Sequence, residues 1–139
     1  MATKVQQERV NRWISKWKSK LLLDRWAIVV EYVAADPEYT RSDGTVAHAY
    51  AEISVDTRYR EAALKIYPVL FRKPVGHQQA TLLHEIIHII TNDVKTALDA
   101  AVRKGAISAR NRDDVLEGIT EDITKIILKP RMKAGSYNL

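Results

Sequence analysis

The spacing of apolar residues changes along the chain, and each change marks an element. Val5, Val10, Trp13, Ile14, Trp17 and Leu21 recur at helical intervals and predict a helix over residues 4–22, with the tryptophans as core anchors. Leu23 and Asp24 break that rhythm. Residues 26–33 are rich in β-branched and aromatic side chains, which predicts a strand. A turn-rich loop bracketed by Ala35-Asp36-Pro37 and Ser42-Asp43-Gly44 follows. Residues 46–55 alternate small or apolar side chains with His48, Tyr50 and Glu52, the pattern of a second strand. Residues 63–70 predict a third, with Pro68 suiting an edge or a strand end.

Beyond Pro74-Val75-Gly76 the period becomes helical and stays so. A helix is expected from about His77 or Gln78 to Thr91, with a break at Asn92-Asp93 and a second piece over 94–104 that stops at Gly105. The last helix begins near Ser108 or Asn111, carries Asp113 and Asp114 in its first turn, and ends before Pro130. The tail, 131–139, has no clear pattern. Helix, about three strands in a mainly antiparallel sheet, then helices is an α+β order.

At 139 residues the chain is expected to form one domain, 1–139, large enough to bury a core without staples. It has no cysteine, which excludes disulfides, zinc ribbons and thiol nucleophiles and leaves nitrogen and oxygen as the only metal donors. The first residues carry no apolar segment of signal-peptide type and no run approaches membrane-spanning length, so a soluble cytoplasmic protein is the default expectation. The net charge of +5 favours acidic partners, nucleic acid among them. Its bases are scattered, however: Arg12, Lys16, Lys18 and Lys20 near the start, Arg58 and Arg60 centrally, Lys129, Arg131 and Lys133 near the end. They read as a solvated basic surface, and no nucleic-acid-binding motif accompanies them.

Chemistry enters at Thr81-Leu82-Leu83-His84-Glu85-Ile86-Ile87-His88, which contains H-E-x-x-H inside an apolar helical run. Residues four apart share a helical face, so His84 and His88 can offer two imidazoles to one ion. Glu85 is then placed to handle a proton of the attacking water, the arrangement of zinc hydrolases. The bare pattern arises by chance in roughly a few of every thousand chains of this length. Its surroundings make chance a poorer explanation. Leu82, Leu83, Ile86, Ile87, Ile89, Ile90, Val94 and Leu98 fall on one broad arc, and both histidines lie outside it.

A hydrolytic zinc site needs a third protein ligand and an open position. His77 lies two turns before His84, too far for its ring to converge on the same ion. His48 sits on a predicted strand with nothing local to argue for it. The spacing H-E-x-x-H-x-x-G-x-x-H is absent, which removes the metzincins. On the last helix Val115, Leu116, Ile119, Ile123, Ile126 and Ile127 form the aliphatic stripe, and Glu117 and Glu121 stand one turn apart away from it. Either can supply the carboxylate, and either keeps the metal between the same two helices.

With these residues in hand, the chain resembles the gluzincin metallopeptidases, in which H-E-x-x-H is followed by a second helix bearing a glutamate ligand. The resemblance covers mainly residues 78–128. In size and layout the chain is similar to the short metallopeptidase-like proteins often found in phages and prophages. It implies a minimal zincin-like domain binding one zinc ion through His84, His88 and Glu117. Glu85 would be the general base, and Glu121 would support a motif histidine as the acid four residues on does in thermolysin-like members. Leu116 stands where that family has an asparagine. A peptide or protein is the implied substrate, and the strand ending near Tyr67-Pro68 is expected to form the cleft's upper edge, where a peptide can pair in extended form. An oxyanion donor is expected among His48, His77 and the tyrosines. Rival readings are an inactive zinc-binding or regulatory module and a basic DNA-associated protein. A DNA-linked protease of the SprT type lacks support because its cysteine ribbon is absent.

Overall fold

Thr3 starts the first helix, α1 (Lys4–Lys20), with a reciprocal cap. The Gln6 backbone N–H donates to the Thr3 hydroxyl, and the Thr3 N–H donates to Gln6 Oε1. Two of the helix's orphan donors are thereby satisfied. The helix ends slightly earlier than the sequence pattern predicts, because Leu22 turns left-handed at φ 58°. Leu23 N–H then reaches back to the Lys18 carbonyl at 2.8 Å, the wrap that closes a helix C-terminus.

The protein, here a computed structural model, is described over residues 2–37, 39–40, 44, 46–47, 49–130 and 137–138. Over these residues it is α+β, with three α-helices and a mixed three-stranded sheet. The chain divides into two compact units, Met1–Glu85 and Ile86–Leu139, with the division falling inside one continuous helix.

In the first unit, β1 (Ala27–Tyr32) leads to two short strands, β2 (Tyr39–Thr40) and β3 (Val46–Ala47), which pair with each other. β4 (Ala51–Asp56) and β5 (Glu61–Ile66) follow. The predicted second strand is therefore two pieces, and His48 lies outside the described residues. A short turn joins β4 to β5, so these two must run antiparallel. β5 then lies between β4 and β1 and pairs with β1 in parallel. The sheet is mixed, where the sequence pattern predicts a mainly antiparallel one. Alternation could not reveal this, because it sets which face each strand buries but leaves open which strands are neighbours. Ala62, Leu64 and Ile66 point inward from β5, which is why the central position falls to it.

Pro68 ends that strand rather than interrupting it, and Pro68–Arg72 forms a 3-10 helix. β5 is paired on both sides, so the strand before Tyr67-Pro68 has no edge to offer a peptide. That expectation is overturned. Val10, Ile14 and Trp17 of α1 are buried, as are Leu23 and Leu70. Arg9 donates to the buried Gln78 at 2.9 Å, and Gln78 donates in turn to the Lys73 carbonyl at 2.8 Å, which fastens α1 to the start of the next helix.

That helix, α2 (Val75–Arg103), starts two residues before the expected His77 and does not break at Asn92-Asp93. Asn and Asp cost at most about 0.7 kcal/mol each inside a helix, too little to interrupt 29 residues of ladder. Gly105, at φ 74°, supplies the stop. In the second unit α3 (Ala109–Ile127) begins at Ser108, whose hydroxyl accepts from the Asn111 N–H. Asp113 and Asp114 therefore fall in its second turn rather than its first. Arg112 binds Asp99 of α2 at 3.1 Å, and Lys95 binds the same carboxylate at 3.0 Å. The Lys95 hydrogen bond first, with Arg112 beside it, holds the Asp99 carboxyl below its usual range. Two final short strands, β6 (Lys129–Pro130) and β7 (Tyr137–Asn138), pair antiparallel. Among the described residues no helix is long and apolar enough to cross a membrane.

Candidate metal centre

The motif's apolar arc does on α2 what its period demands, up to a point. Leu82, Leu83, Ile86, Ile87 and Ile89 are buried, while Ile90 and Val94, on the same arc, are exposed. Burying the aliphatic side turns His84 and His88 away from the core, and both stay half-buried. Glu85, next in the chain to His84, is half-buried too.

On α3 Leu116 is buried and sets the rotation of the helix, which leaves Glu117 on the outside. Its Oε1 stands 3.3 Å from His88 Nε2. One donor atom each from His84, His88 and Glu117 lie within 4.8 Å of one another. Two ligands of one tetrahedral zinc, with bonds of about 2.0–2.1 Å, stand about 3.3–3.4 Å apart. The His88–Glu117 pair has that spacing without any rearrangement. Two imidazoles and one carboxylate, with no thiolate, form a donor set suited to hydrolytic zinc. The Glu117 side chain is 59% exposed against 17% for His88, so the group opens to solvent on its carboxylate side. Glu121, one turn further along α3, is exposed and falls outside the three-residue group.

The other sequence candidates sit elsewhere. His77, exposed in the first turns of α2, packs edge-on against Tyr50 with ring centroids 5.2 Å apart, and its Nδ1 lies 3.4 Å from the Thr81 hydroxyl. Tyr50 immediately precedes β4, and Lys73 stands over its ring at 5.5 Å. Tyr67 donates to Glu52 at 3.1 Å, and burial together with that acceptor pushes its phenol pKa up. Tyr59 lies in the β4–β5 turn under Arg58. Tyr32 stacks at a tilt on Phe71 and its hydroxyl is buried.

Sequence reasoning passed over one pair near the group. Thr91 and Thr120 are buried, three residues beyond His88 and Glu117 respectively, with hydroxyl oxygens 3.4 Å apart. A threonine on an amphipathic helix reads as part of its polar side, and only burial distinguishes this pair. No protein-family model, curated protein or solved structure matches this chain.

Proposed function

We propose that this chain is a zinc-dependent peptidase of gluzincin type, built on a minimal zincin-like fold. The observation that carries the reading is the convergence of His84, His88 and Glu117 within 4.8 Å, with Glu85 adjacent to the first of them. His84 and His88 would hold the ion through imidazole nitrogens and Glu117 through a carboxylate oxygen. Zinc bound there would supply Lewis acidity, polarising a peptide carbonyl and lowering the pKa of water toward about 7.

The chain's own residues supply the proton handling. Glu85 accepts a proton from water as its oxygen forms a bond to the peptide carbonyl carbon. The same carboxylic acid then returns the proton to the amide nitrogen as the C–N bond breaks, so the base is regenerated. Glu121 is assigned as the acid that supports a motif histidine, on its spacing from Glu117. An extended substrate has one edge to pair with on this side of the sheet: β4, whose outer side has no strand partner among the described residues. Tyr50, which leads into β4, packs on His77 of the same α2 face as His84, so that edge begins beside the histidine face.

The test is Glu85→Gln. Zinc content should stay at one per chain while cleavage of an unfolded protein falls by at least about a hundredfold, the usual worth of a positioned base. Cleavage that survives the substitution, or that survives a chelator in the parent chain, would refute the reading. Zinc retained with no cleavage by the parent leaves the inactive binding module in its place.

A further inference from the structure

We infer that Thr91 and Thr120 are positioning residues that hold α2 and α3 at the separation and rotation the metal group requires, an inference that rests on the metal reading above. Both are closed off from solvent, at 2% and 0% exposure. Threonine is a mediocre helix former, and a buried hydroxyl needs a partner, a demand that an aliphatic side chain would not make. The hydroxyls are satisfied locally. Thr120 donates to the Leu116 carbonyl at 2.9 Å, and Thr91 lies 3.4 Å from the Ile87 carbonyl.

What remains is the contact across the helices, Thr91 Oγ1 to Thr120 Oγ1 at 3.4 Å. That is too long for a strong hydrogen bond. Its effect depends on the hydroxyls. Each oxygen is smaller than a methyl group and is turned onto its own backbone, which lets the helix surfaces meet at this separation, and a methyl in its place would hold them apart. Thr91 lies about 4.5 Å beyond His88 along α2, and Thr120 the same distance beyond Glu117 along α3. The hydroxyl contact thus joins the two helices through residues other than those of the 3.3 Å His88–Glu117 approach. One contact alone leaves α3 free to roll and carry the Glu117 carboxylate away. A second contact, through different residues of both helices, removes that freedom.

Thr124 provides the internal control. It is buried to 4% and donates to the Thr120 carbonyl at 2.8 Å, but among the described residues its hydroxyl has no bond to α2. The experiment measures zinc affinity by competition with a chromophoric chelator, and apo-state unfolding, for the parent, Thr91→Val, Thr120→Val, Thr120→Ser and Thr124→Val. Zinc should bind about tenfold more weakly to both the Thr91 and Thr120 valine variants, the lower end of what displaced supporting groups cost. Thr120→Ser should return to within about twofold of the parent. Thr124→Val should lose apo stability like Thr120→Val yet keep its zinc affinity. Parental affinity in both valine variants, or an equal loss in Thr124→Val, overturns the inference. If Thr120→Val does not fold, Thr91→Val against Thr124→Val decides. A parent chain that takes up no zinc fails earlier and differently, removing the metal reading itself.

Discussion

At the residue scale, the two glutamates of α3 differ by one turn and by what they face. Glu117 approaches His88 Nε2 at 3.3 Å, whereas Glu121 lies outside the group. Glu117→Ala should therefore remove a donor, while Glu121→Ala should at most loosen an imidazole. Titrated with zinc, the Glu121 variant should bind roughly 10–100-fold more weakly than the parent, and the Glu117 variant should lose more. The reverse order would make Glu121 the ligand. Sequence spacing marked both residues as equals, since residues four apart on a helix share a face. The rotation of α3, set by burying Leu116, separates them. His84, His88 and Glu85 needed no such help, because an i, i+4 pair enclosing a glutamate is a geometry any helix supplies.

At the element scale, the end of α1 carries a correctable strain. Leu22 sits at φ 58° with 86% of its surface exposed, so it bears the left-handed penalty and gains little from burial. Leu22→Gly should relieve about 1–2 kcal/mol of steric cost, less about 0.4–1 kcal/mol for the looser unfolded chain. Denaturant unfolding should show a net gain of about 0–1.6 kcal/mol. A loss would mean that the left-handed turn does not govern this helix end. The sequence placed α1, α2 and α3 close to their observed limits, since period and caps are local signals. It broke α2 wrongly at Asn92-Asp93, where weak helix formers were given more weight than the surrounding ladder could bear out. It also read Pro68 as part of a third strand, where Pro68–Arg72 is a 3-10 helix.

On the scale of the whole molecule, the proposed metal centre would tie stability to zinc. An ion that binds only the folded chain adds about 2.7 kcal/mol at roughly one hundred times its Kd, a Tm rise on the order of 10 °C at this size. Calorimetry should show that rise with zinc, its loss with chelator, and its absence in the His84→Ala, His88→Ala double variant. A Tm indifferent to zinc in the parent would leave no metal centre to explain. By itself the sequence determined which segments are helical, most of the buried side of α2 and the histidine pair, all of which follow from contacts within a few residues of chain. Only the tertiary structure decided that β5 lies between β1 and β4, which closes the strand expected to meet a peptide and leaves the outer side of β4 without a strand partner among the described residues. It also decided which carboxylate of α3 meets His88. Strand order and helix rotation depend on how faces from distant segments bury one another, and no local period encodes that.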